Sequence, residues 1–404
     1  MHKDCIYLDN NATTKVDPAI VEAMLPYFSD YYGNPSSMHT FGGQVGKAVR
    51  LAREQVAALL GAEESEIIFT SGGTEGDNAA IRAALLAQPQ KRHIITTQVE
   101  HPAVLNVCQQ LETQGYSVTY LSVNRQGQLD LNELEASLTG NTALVTIMYA
   151  NNETGTVFPI EQIGLRVKES GALFHVDAVQ AVGKIPMNMK TSTIDMLTLS
   201  GHKMHAPKGI GALYLRRGVR FRPMIIGGGQ QRGRRAGTEN VPGVVALGKA
   251  AELELLHLEE ATAREKQLRD RLEQTLINTI PNCEVNGDPA NRLPNTTNIG
   301  FKYIEGEAIL LHLNKHNICA SSGSACSSGS LEPSHVLRAM GLPYTILHGS
   351  IRFSLCRYTT EAEIDAVLAI MPDIIERLRA LSPFKNDNVG WLQQQEKSVL
   401  GVGR

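Results

Sequence analysis

Seven short apolar runs, spaced by stretches of helical length, leave this chain little choice but a sheet layered with helices. The runs lie at 66–70, 93–96, 117–121, 143–148, 172–176, 196–199 and 211–215, and are rich in Ile, Val, Leu, Phe, Tyr and Thr. Windows with helical periodicity, such as 45–60 and 131–138, lie between several of them. Alternation of this kind predicts an α/β fold with a mainly parallel seven-stranded sheet and helices on both faces. A long charged helical stretch over 241–277 separates this part from the last third. There, 296–301 and 349–353 predict strands and 308–314 and 361–381 predict helices, which together make a smaller α+β domain.

The 404 residues suffice for both units, and hydrophobic and charged fractions of 42% and 20% are those of a soluble globular protein. A formal net charge of −3 gives no electrostatic case for nucleic-acid binding. No apolar stretch reaches the roughly 20 residues of a membrane helix, and the N-terminus lacks a signal-peptide core. A cytoplasmic protein with no membrane partner is expected. The six cysteines, Cys5, Cys108, Cys283, Cys319, Cys326 and Cys356, contain no Cys-x-x-Cys pair, so a disulfide framework is not expected. Cys108 in a helical pattern and Cys319 in a short strand read as small buried hydrophobes. Cys326 differs: its neighbours are Ser, Gly and Ala, with no apolar pattern to bury it, which predicts an accessible thiol on a mobile loop.

The densest chemistry follows two of the predicted strands. Ser200-Gly201-His202-Lys203 ends one, and His175-Val176-Asp177-Ala178-Val179-Gln180 ends another. An amine able to form a Schiff base, a carboxylate able to pair with a pyridinium nitrogen, and hydroxyl and imidazole donors for a phosphate are the parts of a pyridoxal phosphate site. The alternative is a lysine that merely reaches solvent. Ser71-Gly72-Gly73-Thr74-Glu75 follows a strand and opens a helix, a start that suits a phosphate, without the lysine of a nucleoside triphosphate loop. Asn151-Asn152-Glu153-Thr154-Gly155 reads as a turn after a strand. Arg352 can form an ordinary ion pair or capture an amino-acid carboxylate with its fork. His202 and His205 lack acidic or cysteine companions, so no metal is expected.

The segment Ser200 to Lys203, with His205-Ala206-Pro207-Lys208-Gly209, resembles the pyridoxal-lysine signature of class V aminotransferase-type enzymes. Arg234-Arg235-Ala236-Gly237-Thr238-Glu239-Asn240 and Ser321-Ser322-Gly323-Ser324-Ala325-Cys326 resemble, within that family, the cysteine desulfurases, and the wording is most similar to the NifS type. The likeness runs from Tyr7-Leu8-Asp9-Asn10-Asn11-Ala12-Thr13-Thr14 to Arg352-Phe353-Ser354. It implies the fold type I architecture of pyridoxal 5'-phosphate-dependent transferases: a large cofactor-binding domain over 15–260, a small domain from 1–14 and 261–382, and a tail over 383–404. It also implies a homodimeric sulfurtransferase that converts L-cysteine to L-alanine and a Cys326 persulfide. The sulfur would go to an iron–sulfur scaffold or other acceptor, in nitrogen fixation. By the same resemblance, Lys203, Cys326 and His101 are catalytic, with His101 stacking on the ring. Gly73, Thr74, Ser200, Gly201, His202 and, from the other subunit, Thr238 surround the cofactor phosphate. Asp177, Gln180 and Asn152 contact the ring, and Asn152 and Arg352 the substrate.

Two other readings fit parts of the pattern. A generic aminotransferase would use Lys203, Asp177 and Arg352 but has no use for Cys326; an iron–sulfur carrier would need cysteines at ligand spacing. Ser327 stands where threonine is common, and Cys356 where serine or glycine is usual; neither removes a required group. The tail holds the single tryptophan, Trp391, and reads either as a frayed end or as a docking segment for a sulfur acceptor.

Overall fold

A computed structural model describes residues 5–322 and 333–383. Cys326, Ser327 and Trp391, and the expectations for them, therefore lie outside the described residues. The described chain forms twelve strands: β1 Ile6–Tyr7, β2 Ile67–Thr70, β3 His93–Thr97, β4 Ser117–Leu121, β5 Thr142–Met148, β6 Leu173–Asp177, β7 Met196–Ser200, β8 Gly211–Leu215, β9 Cys283–Asn286, β10 Thr296–Phe301, β11 Ile318–Cys319 and β12 Ser350–Ser354.

Seven of these make one sheet in the order β2-β8-β7-β6-β5-β3-β4. The strands β4, β3, β5, β6 and β7 are mutually parallel, while β8 runs antiparallel to both β7 and β2. Every residue of β2, β3, β5, β7 and β8 is buried, as near-continuous apolar runs require when helices cover both faces. The edge strand β4 is largely exposed or half-buried, and in β6 only the first residue, Leu173, is half-buried. The two faces feed different cores. Ile68, Met196, Leu213 and Leu215 pack with helices Gly73–Ala87 and Pro102–Glu112, whereas Ile67, Phe69, Leu197, Leu199 and Tyr214 pack with helix Thr40–Leu60. Alternation along each strand decides which face a residue joins.

A second core lies among β10, β12 and the helices Gly306–Lys315 and Glu361–Leu381. Here β12, β10 and β9 form an antiparallel sheet, and β1 pairs with β11 in parallel. The 39-residue helix Val241–Thr279 serves both units: Val244, Leu247 and Ala251 join the first core, and Leu268, Leu272 and Leu276 the second. It is a shared strut as much as a divider. Leu8 joins the second core as well, so the N-terminal segment is anchored there before it crosses to the sheet.

The expected buried role of Cys319 needs correction. Both Cys319 and Cys5 are half-buried: β11 is a two-residue strand in a two-stranded pair, and of its two residues only Ile318 turns into the second core. Cys108 is fully buried, as its helical pattern predicted. No helix among the described residues is long and apolar enough to cross a membrane.

Candidate active site

The parallel strands β5, β6 and β7 end side by side, with Met148 opposite Asp177 and Asp177 opposite Thr198. Crevices beyond the carboxyl ends of such strands are where α/β sheets bind ligands. A cavity of about 310 Å³ opens there, within the range of small-molecule sites. Among its lining residues are Gly73, Thr74, His101, Asn152, Asp177, Gln180, Ser200, His202, Lys203 and Arg352. Ten residues scattered over nearly 280 positions of sequence thus line one cavity.

Lys203 ends a single 3-10 turn, Gly201–Lys203, that leaves β7. Gly201 is required by close packing: a Cβ there would lie 3.0–3.2 Å from Ile210 and Ala206 atoms. The lysine Nζ donates to the carbonyls of Asn11 at 2.5 Å and Ala12 at 2.8 Å. The N-terminal segment therefore holds the amine inside the cavity.

The floor is unusually rich in carboxyl groups. Asp177 Oδ1 accepts from the Val179 N–H at 2.9 Å; burial pushes this carboxyl up to about 6, against the pull of that N–H and of Lys203. Asp77 also lines the cavity, is 1% exposed, and is held well above the usual carboxylate range by burial and by Asp177. Just beneath, Glu100 is fully buried; its Oε1 accepts from Thr97 Oγ1 and the Met148 N–H, and burial pushes it up to about 8. At neutral pH Glu100 keeps its proton, as burial demands of a carboxyl with no cationic partner. His175 sits between Thr146 Oγ1 at 2.8 Å and Thr198 Oγ1 at 3.0 Å, and burial pushes it down to about 3, so it is neutral.

His101 caps helix Pro102–Glu112: its Nδ1 accepts from the Ala103 N–H at 3.1 Å. Burial, then the charge of Lys203, pushes it down to about 4. A neutral ring whose Nδ1 accepts must carry its proton on Nε2. On the opposite wall, helix Gly73–Ala87 begins with no side-chain cap, which leaves its first N–H groups for another acceptor. A Cβ on Gly73 would lie 2.9 Å from Val179 Cγ2, so the close approach needs glycine. Ser200 and His202 line the same region; His202 is pushed down to about 4 by burial and by Lys203, and its Nδ1 lies 3.2 Å from Thr13 Oγ1.

Turn chemistry holds Asn152 in place, since Asn151 Oδ1 accepts from the Glu153 and Thr154 N–H groups at 2.9 and 3.0 Å. The Asn152 carbonyl accepts from Arg352 Nη1 at 3.0 Å, and Arg352 Nη2 pairs with Asp9 at 2.6 Å. Gln180 Nε2 donates to the Asn11 carbonyl at 3.0 Å, while its buried Oε1 has no partner. His205 turns away from His202: its ring meets the Lys15 carbonyl and the edge of Tyr358.

Thr238 does not line this cavity; it is exposed. Its loop is nevertheless fastened beside the helix start, because Arg235 forms a double hydrogen bond with Glu75, at 2.8 and 3.1 Å. Cys356 lies elsewhere too. It lines a separate cavity of about 20 Å³, among Lys184, Glu254, Glu265 and Arg357, and burial raises its thiol pKa.

Sequence reasoning gave no role to Asp9, Asn11, Ala12, Asp77 or Glu100. Asp77 had a signal: it falls on the helix face of Ala80, Ile81 and Ala84, where a charged residue is out of place. The backbone carbonyls of Asn11 and Ala12 had none.

A family model described as "Aminotransferase class-V" matches residues 6–367. The chain is 84% identical over 394 residues to a "Cysteine desulfurase" of Trichormus azollae, covering 98% of each chain. It is 58% identical to "Cysteine desulfurase NifS" of Azotobacter vinelandii, over 95% of this chain and 96% of that one. Its fold is similar to a solved "NIFS-LIKE PROTEIN", with a TM-score of 0.86 and 40% identity over 93% of this chain and 99% of that one. It is also similar to "SspA in complex with cysteine", with a TM-score of 0.78 and 39% identity over 88% of this chain and all of that one. With its mixed seven-stranded sheet and a cavity built around Lys203, the chain belongs to the class V aminotransferase family, fold type I, and within it to the NifS-type cysteine desulfurases.

Proposed function

We propose that this chain is a pyridoxal 5'-phosphate-dependent cysteine desulfurase that moves the sulfur of L-cysteine onto Cys326 and releases L-alanine. The observation that carries the reading is the Lys203 amine, held by the Asn11 and Ala12 carbonyls in one cavity with Asp177, His101 and Arg352. The residues fit the cofactor. A glycine-lined, uncapped helix start suits its phosphate, Lys203 its aldehyde, and Asp177 its ring nitrogen, while the unpartnered Gln180 Oε1 marks a polar atom awaiting a ligand.

Gly73, Thr74, Ser200, Gly201 and His202, with Thr238 of the other subunit in a homodimer, would hold the phosphate; Gln180 would reach the phenolic oxygen through its amide. When bound, the cofactor supplies a sink for the electron pair left by removal of the substrate α-proton. Lys203 would hold the cofactor's aldehyde, and its free amine would carry that proton. Asp177 would serve as the anion for the ring nitrogen, since Glu100 nearby keeps its own proton. Asn152 and Arg352 hold the substrate carboxylate. His101, with its proton on Nε2, would contact the ring and could supply a proton to the carbon that sulfur leaves.

The Cys326 thiolate attacks the substrate sulfur: an S–S bond forms, the C–S bond breaks, and a proton completes alanine. Net, L-cysteine and the Cys326 thiol become L-alanine and a Cys326 persulfide. Ser321 pairs with Arg352 through backbone bonds in both directions, 2.6 and 3.2 Å, and Ser322 follows it. Four residues of chain keep Cys326 within about 14 Å of Ser322, whatever its path. That tether supports delivery of the thiol to the cavity.

The persulfide is then passed to an iron–sulfur scaffold or another acceptor protein in the cytoplasm, in nitrogenase maturation, as the NifS name of one relative supports. The division into 15–260, and 1–14 with 261–382, belongs to the same proposal. Holoenzyme given L-cysteine and a thiol reductant tests the reading: alanine and sulfide should appear in equal amounts. Pyruvate with an aminated product, and no sulfide, would contradict it.

A further inference from the structure

We infer that Cys5 and Cys319 form a redox modification site, a dithiol that hydroperoxides close into an intramolecular disulfide. Their sulfurs lie 3.3 Å apart, within hydrogen-bonding distance, although the residues are 314 positions apart in sequence. The approach is built in. Strand β1 pairs with β11 in parallel, Ile6 opposite Ile318 and Tyr7 opposite Cys319. Backbone bonds from Ile6 N to Asn317 O at 2.9 Å and from Leu8 N to Cys319 O at 2.8 Å fix the register of this ladder next to Cys5 and at Cys319. Both cysteines are half-buried, so a small oxidant can reach them. The other described cysteines are placed differently. Cys108 is fully buried, Cys283 donates to the Ile280 carbonyl at 2.9 Å, and Cys356 sits beside Thr359.

The pair has a division of labour. Burial, and then the neighbouring Cys5 sulfur, pushes the Cys319 thiol up to about 11, so Cys319 keeps its proton at neutral pH. Cys5 is then the attacking sulfur. Its thiolate displaces water from hydrogen peroxide, breaking the O–O bond and leaving a sulfenic acid. The Cys319 sulfur attacks that sulfur, an S–S bond forms, and a second water leaves with the Cys319 proton. Two thiols lose two electrons and two protons; one peroxide becomes two waters. Closing from 3.3 Å to the roughly 2 Å of a disulfide asks for about 1 Å of side-chain movement.

The bond would join the two segments that frame the substrate side of the cavity. From Cys5 the chain runs to Asp9, Asn11 and Ala12; from Cys319 it runs to Ser321, the backbone partner of Arg352. Because a very long loop is closed, the oxidised form should resist unfolding more than the reduced form.

The test uses the full-length holoenzyme as wild type, Cys326→Ser, Cys5→Ser and Cys319→Ser, each treated with equimolar hydrogen peroxide. In wild type and Cys326→Ser, the intact mass should fall by two hydrogens, and a non-reduced tryptic digest should link the Cys5 peptide to the Cys319 peptide. The thermal midpoint should rise by several degrees and return with dithiothreitol. Neither Cys5→Ser nor Cys319→Ser should show the link or the shift, so failure of one variant to fold leaves the other as control. Recovery of Cys5 and Cys319 as free thiols or separate sulfinic acids would overturn the inference, as would a Cys5–Cys326 link in wild type that vanishes in Cys326→Ser.

Discussion

Arg352 Nη2 meets Asp9 Oδ1 at 2.6 Å while Nη1 of the same guanidinium donates to the Asn152 carbonyl at 3.0 Å. One side chain, only 3% exposed, thus ties strand β12 to the N-terminal segment and to the turn after β5. A fork held by both its neighbours loses little freedom when a carboxylate arrives, and lysine cannot reproduce it. Arg352→Lys should raise KM for L-cysteine about 10- to 100-fold, as expected for the loss of a charged hydrogen-bonded contact, with a smaller fall in kcat. Steady-state alanine production over a cysteine series checks this.

Lys203→Ala should abolish both turnover and the visible absorbance of the bound cofactor. Among the described residues no other lysine lines this cavity, so none of them offers a second amine to take over the bond. Borohydride reduction followed by peptide mapping reads this directly; a label trapped on another lysine would defeat the assignment.

Glu100 offers a pH test with a defined sign. Its carboxyl has a folded pKa of about 8, above the ordinary value of 4.5, so the fold holds a proton that the unfolded chain gives up sooner. The stability tied to that proton is fully present below pH 4.5 and is lost as pH rises toward 8. Glu100→Gln, of the same shape and never charged, should therefore gain stability relative to wild type across that window. The gain should be at most about 1.4 kcal/mol per pH unit. Urea midpoints at pH 5, 6, 7 and 8 (roughly even steps through the window) test it; a difference that does not change with pH would mean Glu100 is ionised in the fold.

Thr238 is exposed and absent from its own cavity, yet its loop is pinned to Glu75 beside the helix start. If it completes the other subunit's phosphate site, mixed dimers of Thr238→Ala and Lys203→Ala subunits contain one site with both native residues. Activity should reappear on mixing, to about half of wild type per heterodimer. Heterodimers that form yet recover no activity above the two parents would overturn the assignment of Thr238 to the other subunit's site.

What could be read in the sequence follows the range of the forces involved. Strands 117–121 and 211–215 match β4 and β8 residue for residue, and 361–381 matches the last helix, because apolar periodicity and turn residues are local signals. Strand β9 was not expected: Cys283-Glu284-Val285-Asn286 is short and polar, and pairing with β10 alone makes it a strand. The Cys5–Cys319 contact depends on pairing two-residue strands from opposite ends of the chain, which no window of sequence contains. The site was legible where residue type carries the chemistry, as at Lys203, Asp177 and Arg352. It was hidden where the backbone does so, as at the Asn11 and Ala12 carbonyls.

The central claim is that sulfur leaves L-cysteine for Cys326. Mass spectrometry of the holoenzyme after cysteine treatment without reductant tests it most directly. One added sulfur should be found on the peptide containing Cys326, with alanine released in equal amount. Cys326→Ala should bind cofactor and substrate yet release almost no alanine. An added sulfur on the Cys356 peptide and none on the Cys326 peptide would contradict the account, against the burial that raises the Cys356 thiol pKa.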